Sequence, residues 1–290
     1  MSVSRSKHSL IFTPMNDAEL ILNPDGSVYH LNLLPEDLAP TIILVGDKDR
    51  VPLVSQHFDR IDIKKQKREF ITHTGWIGNK RITVLSTGIG SPNIDIVMNE
   101  LDALVNIDLS NRHVHSNLSS LNFIRIGTSG SIHPDIDVDQ IVISTMAVGT
   151  DNLGDYYHSK KINHPLLPSW SYITEHYPFD LKNFTPAYTE GITLTCSGFY
   201  APQGRTLRIA PAYTIPINGL HLEKINGFSF TNLEMETAAI YLMATLLGHR
   251  AISVNAILGN RWHGNFSQDP QKTISDLIRH TLDWIAQLPE

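Results

Sequence analysis

Short apolar runs that end near glycine alternate with amphipathic stretches along most of this chain, and that alternation constrains its fold more than any other feature. Residues 41–45 form an apolar run ending at Gly46, which suits a buried strand. Residues 49–58 follow, with Val51, Leu53, Val54 and Phe58 on one side, the pattern of a short helix. Residues 70–74 and 82–85 read as strands, with a hairpin turn at Trp76-Ile77-Gly78-Asn79 between them. Residues 92–104 predict a helix with proline in its first turn. Further buried strands are expected at 122–126 and 140–145, and a helix rich in Met, Ala and Leu at 234–247. Ile274, Leu277, Ile278, Leu282 and Ile285 recur at helical spacing and mark a last amphipathic helix. Strands alternating with helices argue for one α/β domain, spanning 28–290. Residues 1–27 read as a polar, irregular leader with a turn at Asn23-Pro24-Asp25-Gly26. The polar segment 107–121 reads as a surface loop or short excursion. Its His113 and His115 have no acidic or cysteine neighbour that would complete a metal site.

Composition narrows the function classes. Of 290 residues, 41% are apolar, ample for a sizeable core. A net charge of −6 leaves no electrostatic footprint for nucleic acid or an anionic membrane, so an anionic small ligand needs local arginines. The single cysteine, Cys196, allows neither an internal disulfide nor a cysteine zinc site and reads as a small buried residue. Residues 1–20 lack the apolar core of a signal peptide, and no apolar stretch reaches the roughly 18 residues of a membrane span. The expectation is a cytoplasmic protein without membrane contact.

Four glycine-centred segments adjoin predicted strands. Gly46-Asp47-Lys48-Asp49-Arg50 lets backbone amides and the following helix start approach an anion, with Arg50 adding a charged fork. It lacks the Walker pattern, and Ser86-Thr87-Gly88-Ile89-Gly90 lacks the dinucleotide fingerprint. In Arg125-Ile126-Gly127-Thr128, an arginine sits inside an apolar strand. It needs either a core carboxylate or an anionic ligand, and these residues favour neither, though Thr128 could donate to the latter. In Phe199-Tyr200-Ala201-Pro202-Gln203-Gly204-Arg205, an aromatic face, an amide and a guanidinium fall close together. Such a set matches an imide edge such as that of uracil, although an ordinary polar loop is the plainer explanation. Glu234 and Glu236 open the 234–247 helix. At that spacing they point apart, so no paired acid/base site is implied. Helix capping is the plainer role, while one carboxylate could accept bonds from vicinal sugar hydroxyls.

Taken in order, "HLNLLPEDLAPTIILVGDKDRV", "REF", "STGIGSPN", "RIGTSGSI", "FYAPQGR" and "LEMET" resemble the uridine phosphorylases of the nucleoside phosphorylase/nucleosidase superfamily. The "FYAPQGR" piece selects the uridine branch. The resemblance implies a single α/β domain with a central mixed β-sheet, partly barrel-like and flanked by helices, with active sites at a dimer interface. It implies phosphate binding by Gly46, Arg50, Arg125 and Thr128, with Arg68 of "REF" reaching the phosphate of a neighbouring subunit. It implies ribose binding by Met235, Glu236 and, across the interface, His30. Gln203, Arg205, Phe199 and Arg261 would recognise the base, and Arg125, Gln203, Arg205 and Glu236 would carry catalysis. The expected reaction is reversible phosphorolysis of uridine in pyrimidine salvage. Inorganic phosphate is then a co-substrate and no cofactor is needed.

The chain also departs from the family pattern. Asn260 stands where purine-cleaving relatives carry a proton-donating aspartate. Glu69 fits a potassium site of bacterial members, but Asn93 replaces its serine, which puts that ion in doubt. The leader and the 107–121 insertion make a hexamer less secure than a dimer. A purine nucleoside phosphorylase, a phosphate-independent nucleosidase and a non-catalytic nucleoside-binding protein are the alternatives.

Overall fold

The computed structural model describes residues 15–176 and 179–288, so residues 1–14 of the expected leader lie outside the described residues. Strands β1 (Thr41–Val45), β2 (Arg60–Lys67), β3 (Phe70–Ile77) and β4 (Lys80–Ser86) come first. They are followed by β5 (Asn122–Ser131), β6 (Ile141–Gly149), β7 (Tyr172–Glu175), β8 (Thr189–Thr195), β9 (Phe228–Glu234) and β10 (Arg250–Asn260). The longer helices and the one nearest the site are α1 (Arg50–Ser55), α2 (Ser91–Asn106), α3 (Thr237–Leu247) and α4 (Pro270–Gln287).

The main sheet runs β9-β8-β6-β10-β5-β1-β4-β3-β2. Strand β9 also pairs antiparallel with β5, Asn232 opposite Ser131, so β9, β8, β6, β10 and β5 close into a barrel. Closure removes the two edges that an open five-stranded sheet would expose. From β5 the sheet continues outward through parallel β1 and β4 to the β3–β2 hairpin. One helical layer, α2 and α3, buries Ile94, Val97, Met98 and Leu101 against Ala239, Ile240 and Met243. On the other side α1 and α4 bury Val51, Val54, Leu277, Ile278 and Trp284 against Ile43 and Val254.

The barrel carries a belt of polar contacts. Arg125 Nη1 on β5 donates to Asn255 Oδ1 on β10 at 2.7 Å, and Asn255 Nδ2 donates to Ser144 on β6 at 3.1 Å. Ser144 meets Thr193 on β8 at 2.5 Å, and Thr193 donates to Asn232 Oδ1 on β9 at 2.9 Å. Asn232 Nδ2 then donates to Ser129, back on β5, at 2.9 Å. Because the Thr193 hydroxyl proton is used on Asn232, Ser144 is the donor to Thr193, and every bond runs the same way round.

The expected strands and helices form, and β2 and β7 to β10, which the sequence did not single out, join them. Strand β2 gave no apolar run, because its residues alternate between exposed and half-buried at a sheet edge. The helix expected from 234 starts at Thr237, since Glu234 still belongs to β9. The 107–121 excursion contains a two-stranded hairpin, Ile107–Asp108 with His113–Val114. The Asn23–Gly26 turn forms with Gly26 at φ 84°, and Val28 after it is fully buried. No described helix is long and apolar enough to cross a membrane.

Candidate active site

A cavity of about 1110 Å³ opens at the C-terminal ends of β1, β4, β5, β8 and β9. That is where loops after parallel strands place ligand-binding groups in open α/β sheets, and the volume exceeds what one nucleoside needs. Gly46, Arg50, Arg125, Thr128, Phe199, Gln203, Arg205, Met235, Glu236 and Arg261 all line it, as does Asn260. Five separate sequence segments are thereby brought to one place.

The arginines differ in what surrounds them. Arg125 is buried and its terminal nitrogens are committed. Nη1 reaches Asn255 at 2.7 Å and Ser253 at 3.4 Å, while Nη2 meets Glu234 at 3.0 Å and Glu236 at 2.8 Å. Burial opposes its charge, but the two carboxylates outweigh that and raise its pKa further above the ordinary arginine value. Of the two readings left open for this residue, the core salt bridge forms, and the same guanidinium also lines the cavity. The carboxylates expected to point apart converge instead on one guanidinium nitrogen. The reason is that Glu234 ends a strand and Glu236 caps the next helix, so helical spacing does not apply.

Arg50 is also buried, and its Nη1 donates to the Ile126 carbonyl at 3.2 Å. Burial and the neighbouring Arg125 charge push its pKa down, Asp47 and Glu236 offset this only in part, and no carboxylate forms an ion pair with it among the described residues. At the other end, Arg205 lies over the Phe199 ring, 3.8 Å from its centroid, and donates to the Phe199 carbonyl at 2.6 Å and to Gln203 Oε1. Arg261 Nη1 donates to the Gln203 carbonyl at 3.0 Å. Burial depresses both pKa values, and Arg261 further depresses that of Arg205. Neither has a carboxylate partner among the described residues. Gln203 is fully buried in a short helical turn ended by left-handed Gly204, at φ 69°, which aims the amide inward.

Glu236 Oε1 accepts the Gly90 amide at 2.8 Å and Oε2 accepts Arg125. Burial raises its pKa, Arg125 counteracts this, and Glu234 adds to the rise. Met235 sits beside it in the lining.

His30 and Arg68 do not line this cavity. They gather around Tyr29, the His30 ring 4.9 Å and the Arg68 guanidinium 6.0 Å from the Tyr29 centroid. His30 Nδ1 bonds Glu100 at 2.6 Å. Glu69 and Asn93, the positions weighed for potassium, both line the cavity. Among the described residues no group of three or more His, Cys, Asp or Glu is arranged to hold a metal ion.

Sequence reasoning passed over Asn255, Ser253 and Ser129. The first two stand at alternate positions in the otherwise apolar 251–258 stretch, a period-two signal of a polar barrel interior. It also passed over Ile89 and Phe266, exposed apolar residues at the mouth of the cavity.

A family model described as the phosphorylase superfamily matches residues 40–281. The uridine phosphorylase of Haemophilus influenzae is 30% identical over 87% of this chain and 96% of its own length. That of Thermococcus kodakarensis is 28% identical over 92% of this chain and 91% of its own. A Trypanosoma brucei nucleoside phosphorylase, whose crystal structure is described as showing uridine phosphorylase activity, superposes with a TM-score of 0.80 at 26% identity. It covers 91% of this chain and 99% of that one.

Proposed function

The chain belongs to the phosphorylase superfamily, and from that membership we propose that it is a uridine phosphorylase, converting uridine and inorganic phosphate to uracil and ribose 1-phosphate. The observation that carries the choice of base is the pair of cations, Arg205 and Arg261, bonded to the buried Gln203 and without a carboxylate partner among the described residues. Uracil departs with negative charge spread over its two carbonyl oxygens. Donors already fixed at that end stabilise the charge as it develops, without a general acid.

The rest of the cavity fits the other half of the reaction. Arg50, short of an anion, is the primary phosphate ligand, with the Gly46 backbone and Thr128 beside it. Arg125 contributes mainly its fixed positive field, because its terminal donors are engaged within the protein. Glu236 retains lone pairs for the ribose 2′- and 3′-hydroxyls, and Met235 packs against the sugar. The C1′–N1 bond loosens, the ribosyl group gains oxocarbenium character, and a phosphate oxygen captures C1′. Holding the reactants together in this way can supply up to roughly 7–11 kcal/mol of the barrier reduction. Phosphate is itself the nucleophile, so the mechanism calls for neither a nucleophilic side chain nor a cofactor.

Asn260 argues against a purine substrate. Its amide donates to the carbonyls of His133 and Ile136 and its oxygen accepts from the amides of Trp262 and His263. A carboxamide bound on all sides has no proton to offer a leaving purine.

His30 and Arg68 complete the site from a second subunit in this proposal, which makes a homodimer the minimum assembly. A lone buried cysteine suits a reducing compartment, and we place the enzyme in the cytoplasm. Uracil release from uridine, followed by ultraviolet absorbance, tests the proposal. Release that requires phosphate, with little cleavage of inosine, is expected; equal release without phosphate would make the protein a nucleosidase instead.

A further inference from the structure

Glu234 lies in the cavity wall, yet its carboxylate has no capacity left for a substrate. Oε1 accepts the Thr195 hydroxyl at 2.6 Å and the Thr237 amide at 3.1 Å. Oε2 accepts the amides of Glu236 and Thr237, both at 2.9 Å, and Arg125 Nη2 at 3.0 Å. Only 2% of its side chain is exposed. These contacts do three things together. They satisfy amides at the start of α3, whose N-cap residue, Glu236, makes no capping bond with its own side chain. They pin the backbone of Glu236, and they give Arg125 a second counter-ion.

We infer that Glu234 is a positioning residue for the reaction, holding Glu236 on the ribose by sharing Arg125 with it. Without the Glu234 charge, Glu236 becomes the one carboxylate paired with Arg125. Its Oε2 is then drawn into that ion pair and away from the sugar hydroxyls. The effect is larger for a substrate that presents both hydroxyls to Glu236 than for one that presents the 3′-hydroxyl alone.

The charged groups facing Glu236 are Arg125 from β5, Arg50 from α1 and Glu234 from the end of β9. Of these, Glu234 raises the Glu236 pKa and Arg125 lowers it. Removing the Glu234 charge therefore shifts protonation of Glu236 to lower pH. An acid limb of kcat/KM that reports this protonation moves the same way.

The inference rests on the phosphorolytic reading, so wild-type uracil release with phosphate comes first, and its absence would refute that reading rather than this one. The decisive variant is Glu234→Gln. Its amide oxygen can keep the backbone and arginine bonds while its NH2 group turns to Thr195, so charge is removed with little change of shape. The expected result is a loss of about tenfold or more in kcat/KM for uridine, a loss under about threefold for 2′-deoxyuridine, and an acid limb at lower pH. Equal losses for both nucleosides with an unmoved limb would overturn the inference, as would wild-type kinetics. Thr195→Val, which deletes one donor to Glu234 and keeps its charge, provides a second measurement should the glutamine variant not fold. It is expected to lower the uridine to deoxyuridine ratio, and an unchanged ratio would also overturn the inference.

Discussion

Asn260 illustrates how one side chain can exclude a chemistry by being fully occupied. An aspartate there would turn a carboxylate oxygen toward the His133 and Ile136 carbonyls, where the amide now donates at 3.2 and 2.8 Å. Asn260→Asp is expected to cost about 1–3 kcal/mol of stability and to gain no inosine cleavage. Thermal melting and an inosine assay check both halves; new purine activity in a stable variant would refute the argument. At this scale much of the site was legible. Gln203, Arg205 and Phe199 stand within seven residues of one turn, and a buried arginine at 125 demanded a partner. The convergence of Glu234 and Glu236 was not legible, because it depends on where a strand stops and a helix starts. A boundary misplaced by three residues, 234 for 237, reverses the direction in which a side chain points.

Among the elements, β5 does the most to build the site, since Arg125, Thr128 and Ser129 all project from it into the cavity wall. Between them Gly127 leaves room for the arginine to fold back. A Cβ at that position would lie 1.7 Å from Arg125 Nη1 and 2.8 Å from Asn255 Oδ1. Gly127→Ala is therefore expected to displace the guanidinium and lower kcat/KM by about a hundredfold, while the chain still folds. Steady-state kinetics beside a circular-dichroism spectrum measures this, and a fully active variant would contradict the crowding. Strands β1 and β5 were readable because their apolar runs are buried on both faces. Strands β8 and β9 were not, because each inserts polar residues, Thr193 and Asn232, at positions buried in the barrel. Buried polar residues look like surface in a sequence until the closure that satisfies them is known.

For the molecule as a whole, the strongest expectation is that one chain is not a complete enzyme. Arg68→Ala and Arg125→Ala remove groups proposed to act in the same site from different subunits. Each variant alone should be nearly inactive, and a re-equilibrated mixture should regain activity, because a mixed dimer holds one site with both arginines intact. No recovery on mixing, with subunit exchange verified, would place Arg68 outside the site. The alternation of strands and helices foretold an α/β domain, but not which strands close the barrel, since β9 meets β5 across about a hundred residues of chain. The one-way belt from Arg125 through Asn255, Ser144, Thr193 and Asn232 to Ser129 bears on how that closure is made without error. Slipping any one of the five strands by a residue would turn its belt member outward and strand a neighbour's donor or acceptor in a dry interior, at about 1–3 kcal/mol for each orphan. An oily barrel would tolerate several misalignments of similar energy. This one proofreads its own assembly, rejecting a misthreaded barrel by the hydrogen bonds it fails to complete.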